Sequence, residues 1–515
     1  MSTSLKLLIK KYGIFFIFCF VFVISLVIRF QVVSNYNIAF TSDQARDMLE
    51  VRHMAVSHTP KLIGPITDIL GLYLGPFWYY YNLIPFIISG GNPLSLVYFS
   101  IIVFHLVSLL VFIFLSKKDK YLGLLASCLL LLSPVAFLTT RFSFNANAVF
   151  YFSSLFPIFI IFKSKLMSFL EGLLCGVVLQ LQAAVGILFF PISYFLHLKR
   201  DINHRHLIPL SVGFFLTLIP QIAFEISHRF LMTKALFAEF FGNSHFLGSK
   251  LSFFEMISNR LMHFISLFSN VSYLPVYIIF VIIIFALLLP KKKSFVAQFL
   301  QSNLQFILIF LIFFLIFPYN LKDWYLYGLV PFAIYSFASS LKIISENHKA
   351  QIAAILIFCL IIFTSVVSNL NYLKTIKNIS SNDPSNLKNM LLTVEKVYED
   401  ASGQSFKVYS YIPSVYDYTY QYIFWWYGTQ KFGYQPSEIS YLPDVPEYIK
   451  NNSTYWTKKK KSSPSSTFLI IQHDLAAPDR ETAWRDKFEK ASVEVINLPW
   501  NTSIEKINSF VKLRK

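Results

Sequence analysis

The feature that most constrains this chain is a series of long apolar runs separated by short polar segments. The hydrocarbon core of a bilayer requires about 20 consecutive apolar residues per helix, and the first run, IFFIFCFVFVISLVIRF at 14–30, approaches that length. Only 14% of the residues are charged, against roughly 25% in soluble domains. Most of the chain is therefore predicted to lie in a membrane, where each run must form a helix because lipid offers no hydrogen-bond partners.

The runs predict about eleven transmembrane helices. The segment 71–90 is rich in glycine, proline and aromatic residues, and we expect it to lie at the interface or to re-enter the membrane rather than to cross it. The predicted spans are near 13–33, 94–115, 121–140, 146–162, 167–184, 185–198, 206–224, 274–290, 302–318, 324–341 and 350–370.

The basic clusters predict the orientation of these spans. Lys6, Lys10 and Lys11 place the N-terminus in the cytoplasm, because short cytoplasmic segments carry an excess of lysine and arginine. The clusters between spans follow the same rule, so the net charge of +18 indicates membrane topology rather than nucleic-acid binding. The first run has no small-residue cleavage site after it and is expected to remain as an anchor. These clusters lie at 117–120, 163–165, 198–206, 290–293 and 341–349.

Two domains are predicted. A membrane module over 1–371 has outward loops at 34–93 and 225–273, and an extracytoplasmic α/β domain follows over 372–515. The fold class is thus a polytopic α-helical membrane protein of the cytoplasmic (inner) membrane with a C-terminal α/β domain outside the cytoplasm. In that domain we predict strands at 408–412, 468–472 and 493–498, an amphipathic helix at 481–491 and a solvated loop at 458–466.

Neither a metal site nor a disulfide framework is predicted. All four cysteines lie within apolar runs, where they behave as small buried hydrophobic residues. His53 and His58 are five residues apart, and the chain contains no HExxH motif. No cofactor is expected.

The stretch TSDQARD at 41–47 places acidic residues directly after the first span. Thr41 or Ser42 can cap a helix, and the helix dipole favours a carboxylate at Asp43 without any function. Asp43 and Asp47 are four residues apart and share one helix face. Two interpretations stand, a capped interfacial helix and a catalytic site. The position next to the aromatic segment, where a lipid headgroup can reach it, favours the catalytic interpretation.

Other outward-facing polar residues are candidates for a substrate site. Arg141 and Asn145, in TTRFSFNANA, lie at the outer edge of the lipid, where polar residues are costly unless paired or functional. Arg141 suits phosphate binding, and an ion pair with a carboxylate is the alternative. Tyr79 and Tyr80 belong to an aromatic cluster that either lines a site or anchors the chain at the interface. Three further candidates open the second outward loop, namely Glu225, His228 and Arg229.

The order of these motifs, and the side of the membrane on which they are predicted to lie, resemble those of the GT-C superfamily of integral-membrane glycosyltransferases. The similarity is to the bacterial relatives of protein O-mannosyltransferases and of the lipid A aminoarabinose transferase. It covers about residues 12–370 as architecture and is strongest over 40–90. The motifs that carry it are SDQARD, LIGPIT, LGPFWYYYNLIPF, RFSFNAN and LIPQIAFEISHRF.

This resemblance implies transfer of a sugar from a polyprenyl-phosphate carrier to an acceptor hydroxyl, which is a lipid, a glycan or a protein, on the outer face of the membrane. Asp43 is implied as the general base, with Asp47 orienting it or the acceptor. The chemistry also needs cations near the departing phosphate, for which Arg46, Arg141 and Arg229 are the candidates. The predicted substrate-lining residues are Tyr79, Tyr80, Asn145, Glu225 and His228.

The chain departs from the pattern of its relatives at two points. Gln44 follows Asp43 where many relatives have glutamate, which leaves open whether Asp47 or Glu225 supplies a second carboxylate. Leu74-Gly75-Pro76 stands where other relatives have a basic residue before two prolines.

Two other functions remain open, a transporter or flippase of lipid-linked glycans and a polysaccharide polymerase or ligase. The nearly charge-free spans argue against the transporter, and an arginine-poor second loop argues against the polymerase.

Overall fold

A computed structural model describes most of the chain, in two compact units. The first, here the membrane unit, comprises Met1–Gln31, Pro60–Tyr81 and Val97–Asn371, and the second, the tail unit, comprises Val32–Thr59, Asn82–Leu96 and Tyr372–Lys515. The basic cluster predicted at 290–293 lies outside the described residues. The described residues are 3–162, 164–200, 205–242, 252–289, 294–317, 319–413, 417–443, 455, 457–460, 462–488 and 493–507.

Helices account for most of the described residues up to position 242. They are α1 (Thr3–Val33), α2 (Ser42–Ser57), α3 (Phe77–Ser89), α4 (Pro93–Ser116), α5 (Lys120–Leu132), α6 (Pro134–Thr139), α7 (Asn145–Ser153), α8 (Phe156–Ile161), α9 (Lys165–Leu181), α10 (Ala183–Gly186), α11 (Phe189–Arg200), α12 (Leu207–Ser227) and α13 (Leu231–Phe241).

The remaining helices continue the membrane unit and then enter the tail unit. They are α14 (Phe253–Ser269), α15 (Val276–Leu288), α16 (Phe295–Leu315), a 3₁₀ segment (Asp323–Leu329), α17 (Val330–Ser345), α18 (Gln351–Asn382), α19 (Leu387–Ala401), α20 (Tyr418–Ile423), a π-helical turn (Phe424–Gly428), α21 (Thr429–Phe432) and α22 (Pro478–Arg485).

Six helices within the described residues are long and apolar enough to cross a bilayer. Three shorter apolar helices accompany them, at Lys120–Leu132, Ala183–Leu198 and Val276–Leu288. The chain therefore has the multi-pass helical character that the sequence predicts, but the count of about eleven spans is not confirmed. The six are Tyr12–Val33, Pro93–Ser116, Leu207–Ser227, Phe295–Leu315, Asp323–Ser345 and Gln351–Ile376.

The span predicted as one helix over 121–140 is broken at Ser133. Its backbone is extended (φ −65°, ψ 146°), and Pro134 opens the next helix. A residue that precedes proline is driven out of the helical region by contact with the proline ring. The Ser133 hydroxyl then accepts the N–H of Ala136 at 3.3 Å, which caps α6. The span predicted over 146–162 is likewise divided between α7 and α8.

Helices α9 and α12 approach each other through glycines. A Cβ built on Gly172 would lie 2.0 Å from the Leu210 carbonyl oxygen, and one on Gly176 would lie 1.8 Å from the Thr217 hydroxyl. From the other side, a Cβ on Gly213 would lie 2.2 Å from the Phe169 carbonyl oxygen. Small residues spaced four apart permit such close backbone contact between membrane helices.

Replacing Gly176 with leucine is expected to disrupt this helix pair. The new side chain would occupy the position of Thr217 and force α9 and α12 apart, lowering the free energy of unfolding by about 1–3 kcal/mol or more. Thermal unfolding of the detergent-solubilised protein, together with its monodisperse yield, measures the effect. Val212→Leu is the matched control, because Val212 is 53% exposed on α12. A variant as stable as that control would contradict the glycine-mediated packing.

The tail unit contains a five-stranded sheet in the order β2-β1-β3-β5-β4. Strand β1 is parallel to both β2 and β3, whereas β5 runs antiparallel to β3 and β4. The predicted strands correspond to β1, β3 and β4, while β2 and β5 were not predicted. The strands are β1 (Phe406–Tyr411), β2 (Glu438–Ser440), β3 (Ser466–Gln472), β4 (Val493–Leu498) and β5 (Thr502–Ile507).

Helix α22 packs on this sheet through Trp484. The indole is 1% exposed and belongs to an apolar cluster with Tyr411 and Ile471, and its N–H donates to the Tyr441 carbonyl at 3.0 Å. The helix was predicted over 481–491, but it spans Pro478–Arg485; residues 489–492 lie outside the described part of the chain. A small α/β domain is thus present, as the sequence predicts.

Asp474, just after β3, is held by charge-assisted hydrogen bonds. Arg480 donates to it at 2.6 Å and the Tyr411 hydroxyl at 3.0 Å. The hydrogen bond from Arg480 lowers the pKa of Asp474 below its usual 3.8, outweighing the burial that raises it. A carboxylate whose pKa is lower in the folded than in the unfolded protein stabilises the fold above its unfolded pKa. That stabilisation is lost as the pH falls through the folded pKa.

Asp474→Asn is therefore expected to loosen the tail unit at pH 7. Amide hydrogen exchange over β3 should be faster in the variant than in wild type at neutral pH. The difference should shrink as the pH falls below about 3.8 and vanish below the lower pKa of folded Asp474, because wild-type Asp474 is then also neutral. Asp479→Asn, in the first turn of α22, serves as the control. A difference in exchange that is independent of pH would contradict this account.

Candidate functional site

Helix α2 carries the acidic motif, and its first turn is capped without Asp43. Thr41 is the N-cap residue and forms a capping box with Gln44, whose Oε1 accepts the Thr41 N–H at 2.9 Å. Gln44 thus acts as the N3 residue of this box. The start of the helix consequently does not depend on the Asp43 side chain, so the cap and the carboxylate can be tested separately.

Arg46 joins the two carboxylates of the motif. Its Nη1 lies 2.9 Å from Asp43 Oδ1, and its Nη2 and Nε lie 2.9 and 3.1 Å from Asp47 Oδ1. The Asp43 side chain is 59% exposed, whereas that of Asp47 is 7% exposed. Asp43 is therefore accessible to a substrate. Asp47 is buried and holds the guanidinium that in turn holds Asp43.

This geometry bears on the predicted role of Arg46. Charge-assisted hydrogen bonds to two carboxylates occupy much of its guanidinium. A phosphate would have to compete with Asp43 and Asp47 for the same N–H groups. In this arrangement Arg46 orients the acids, and its role as a phosphate ligand stays a prediction.

Arg141 lies in the turn between α6 and α7 of the membrane unit. Its guanidinium carbon is 5.8 Å from the centroid of the Phe137 ring, and it interacts electrostatically with Tyr273 and Tyr327. Burial lowers the pKa of Arg141 from its usual 12.5, while the two tyrosines oppose that shift. Since arginine stays protonated in proteins, a partly desolvated cation is present here.

Asn145 and Tyr80 form hydrogen bonds to backbone carbonyls, and Tyr79 is buried. The Asn145 amide donates to the Leu181 carbonyl at 2.7 Å, which satisfies the last turn of α9. Tyr79 is buried, with 5% of its surface exposed. Tyr80 is more exposed, and its hydroxyl donates to the Lys61 carbonyl at 3.0 Å.

Glu225 caps a helix. Its carboxylate accepts the N–H groups of Met232 and Thr233 at 2.8 and 2.9 Å, at the start of α13. Carboxylates are favoured at helix N-termini because the unpaired N–H groups there carry partial positive charge. These contacts indicate that Glu225 fixes the turn from α12 to α13, so its use as a second acid would require breaking that cap.

His228 and Arg229 form the turn that Glu225 closes. The His228 ring stacks on Phe224 with 3.9 Å between centroids. Arg229 and Phe230 both adopt left-handed backbone conformations, with φ of 55° and 60°. The roles predicted for His228 and Arg229 in substrate binding stay predictions.

The two Gly-Pro pairs face each other across a short hairpin of the membrane unit. Gly64 N–H donates to the Leu74 carbonyl at 2.8 Å, and Leu74 N–H donates to the Pro65 carbonyl at 2.9 Å. A Cβ on Gly64 would lie 2.0 Å from the Gly75 carbonyl oxygen. The close approach of the two strands of this hairpin therefore requires glycine at position 64.

The sequence did not indicate the ion pair at the tip of that hairpin. Asp68 and Lys322 are 254 residues apart, and their charged groups lie 2.6 Å from each other. Lys322 Nζ also lies 5.4 Å from the ring of Trp324, and neighbouring Asp323 contacts His263 at 2.8 Å. No local sequence pattern connects Lys322 or Asp323 to Asp68.

Among the described residues, no three His, Cys, Asp or Glu side chains lie close enough together to hold a metal ion.

The predicted site residues are divided between the two units. Asp43, Arg46 and Asp47 belong to the tail unit, and the other seven belong to the membrane unit.

Comparison with solved structures shows that the chain shares the fold of the membrane protein ArnT. The resemblance predicted from the sequence is thus confirmed at the level of the fold. The similar structures are of ArnT, the lipid A aminoarabinose transferase, from Cupriavidus metallidurans. The form bound to undecaprenyl phosphate has a TM-score of 0.56 and 12% identity, covering 96% of this chain and 98% of ArnT. The apo form has a TM-score of 0.53 and 13% identity, covering 95% and 97%.

At 12% and 13% identity, similarity to these solved structures establishes the fold of the chain and nothing further. Neither a protein-family model nor a curated protein sequence matches the chain.

Proposed function

We propose that this protein is an inverting glycosyltransferase that moves a sugar from a polyprenyl-phosphate carrier to a hydroxyl of a cell-envelope acceptor. The reaction would take place on the outer face of the cytoplasmic membrane, with the N-terminus inside and the α/β domain outside. The observation that carries the proposal is the Asp43–Arg46–Asp47 cluster on α2, the first helix after the first apolar run, in a chain with the fold of ArnT. The proposed donor class is supported by ArnT, whose structure holds undecaprenyl phosphate.

The proposed reaction is a single displacement. Asp43 takes the proton of the acceptor hydroxyl as its oxygen attacks the anomeric carbon. The bond from that carbon to the carrier phosphate oxygen breaks, and the phosphate leaves with the electron pair. Attack from the opposite side inverts the anomeric configuration. A positioned base contributes on the order of 10²–10⁴-fold to such a step.

The other roles follow from charge and burial. Asp47 is buried and orients Asp43 through Arg46. Arg141 is our first candidate for stabilising the leaving phosphate, because a partly desolvated cation interacts more strongly with developing negative charge than a solvated one. Arg229 is a weaker candidate for the same role.

The charged side chains buried in the apolar helices do not favour the transporter hypothesis. Arg29 donates to the Leu131 carbonyl at 2.8 Å and to the Thr140 hydroxyl at 3.0 Å. Glu171 is bound by His197 at 2.9 Å and by Ser193. Each charge is satisfied by neighbouring helices, as expected of structural groups rather than of a pathway through the bilayer.

The test is a transfer assay with protein purified into lipid nanodiscs. Labelled polyprenyl-phosphate sugars, both hexoses and pentoses, are supplied with lipid, glycan and protein acceptors from the cell envelope. We expect one molecule of polyprenyl phosphate for each glycosylated acceptor, with inverted anomeric configuration. Retention of configuration would exclude the single displacement. If no donor is consumed, and lipid-linked glycan crosses the bilayer of proteoliposomes instead, the protein is a transporter.

A further inference from the structure

We propose that Arg52 is a positioning residue, which holds helix α2 against the C-terminal part of the tail unit and thereby fixes the orientation of Asp43. The proposal rests on the proposed function, since Asp43 is taken as the base. All the contacts that carry it lie within the tail unit, to which both α2 and the C-terminal part of the chain belong.

Arg52 is buried at the C-terminal end of α2. None of its surface is exposed, although arginine is rarely buried. Its guanidinium carbon lies 4.0 Å from the centroid of the Tyr455 ring and 5.0 Å from that of Trp425. A cation this close to two aromatic faces is attracted by both, and the attraction increases as the cation is desolvated.

The aromatic partners are themselves fixed in place. Trp425 stacks on Phe86 with 6.3 Å between centroids and an interplanar angle of 10°. The Tyr455 hydroxyl hydrogen-bonds to His53 Nδ1, so two consecutive residues of α2 engage the same tyrosine. Trp425 lies in a π-helical turn, a local departure from α-helical geometry that occurs frequently at functional sites.

The segment that leads into the N-terminal end of α2 is anchored by backbone hydrogen bonds to the start of α19 and the residues just before it. Leu387 N–H donates to the Ile38 carbonyl at 2.8 Å, and Phe40 N–H donates to the Ser385 carbonyl at 2.9 Å. Together with Arg52, these bonds hold the helix at both ends. Asp43 and Asp47 lie between the two anchors, so the orientation of the acids depends on residues more than 300 positions away in the chain.

The contacts of Arg52 are made by its side chain, so a substitution can remove them. The contacts at the other end are backbone hydrogen bonds, which a substitution leaves in place. Arg52→Ala removes the cation while leaving Asp43, Arg46, Asp47 and the capping box unchanged. We expect kcat to fall on the order of 10- to 100-fold, because a misplacement of about 1 Å at a reacting group costs that much. The KM for the donor should stay near its wild-type value. Arg52→Lys should recover activity only partly, since lysine keeps the charge but not the planar stacking group.

Hydrogen exchange provides a measurement that does not depend on activity. In Arg52→Ala, amides over residues 43–50 should exchange faster, while the strands of the sheet should keep their wild-type rates. Trp425→Leu should reproduce this pattern, and the double variant should add little, because both changes break the same contact. Arg485→Ala is the control. Arg485 pairs with Glu505 at 2.7 Å elsewhere in the tail unit, so its loss should leave exchange over α2 unchanged.

The outcomes separate this proposal from the proposed function. If hydrogen exchange over α2 is unchanged in Arg52→Ala, Arg52 does not anchor the helix. If exchange is faster throughout the tail unit, Arg52 stabilises the whole unit and has no specific positioning role. If Asp43→Asn abolishes transfer while Arg52→Ala transfers normally, only the positioning role fails. If both variants transfer normally, Asp43 is not the base and the positioning role falls with it.

Discussion

Asp43→Asn is expected to lower the rate of sugar transfer by a factor on the order of 10²–10⁴, which is the usual contribution of a positioned general base. Asparagine is nearly isosteric with aspartate but cannot accept the acceptor's proton. Its amide oxygen can still accept the hydrogen bond that Arg46 donates to Asp43 Oδ1. The capping box of Thr41 and Gln44 is also preserved. The expected loss is therefore in kcat, measured with saturating donor and acceptor in nanodiscs.

Two controls make this result interpretable. Asp479→Asn removes a carboxylate from the first turn of another helix, α22, and is expected to transfer at the wild-type rate. Asp47→Asn should cause a smaller loss than Asp43→Asn, because Asp47 acts through Arg46. Normal transfer by Asp43→Asn, with donor binding intact, would mean that the base lies elsewhere, and Asp47 would be the next residue to test.

Arg141→Met is expected to lower kcat/KM for the donor by a factor on the order of 10²–10³, the size of effect that follows removal of one group stabilising a developing negative charge. Methionine fills much of the volume of the arginine side chain but cannot neutralise the leaving phosphate. Arg141→Lys should retain part of the activity, because it keeps the charge but not the planar fork that matches phosphate oxygens. Steady-state kinetics with varied donor measure both variants.

The control for Arg141 is Arg205→Met, a change at an exposed residue in the turn before α12. It removes the same charge and should leave the kinetics unchanged. Thermal unfolding must accompany the assay, since Arg141 is partly desolvated and its loss can alter packing. A stable Arg141→Met protein with wild-type kcat/KM would exclude a role in phosphate stabilisation and would direct attention to Arg229 and Lys322.

Much of the fold could be predicted from the sequence because it depends on short stretches of the chain. Apolar runs such as 14–30 form helices wherever lipid replaces water, and alternating or continuous apolar stretches predicted β1, β3 and β4. The N-cap at Thr41 is a local signal, since the capping box needs only residues 41–44. The break at Ser133 is also local, because it follows from Pro134.

The features that escaped prediction depend on residues distant in sequence. Asp68 and Lys322 form an ion pair across 254 positions, and no window of the sequence contains both. Strand β2 has only three residues, Glu438–Ser440, and is defined by its pairing with β1 rather than by its own composition. The Glu225 carboxylate became a helix cap because the chain turns back at Arg229 and Phe230.

The sequence by itself determined that the chain is a helical membrane protein with a small α/β domain, and it identified the acidic motif that follows the first apolar run. Hydropathy, capping and strand patterns are properties of neighbouring residues, so they can be read from short windows. Only the tertiary structure decided that Arg46 holds both Asp43 and Asp47 and that α2 belongs to the tail unit. Those arrangements come from side-chain packing and hydrogen bonds between distant segments, which exist only once the chain has folded.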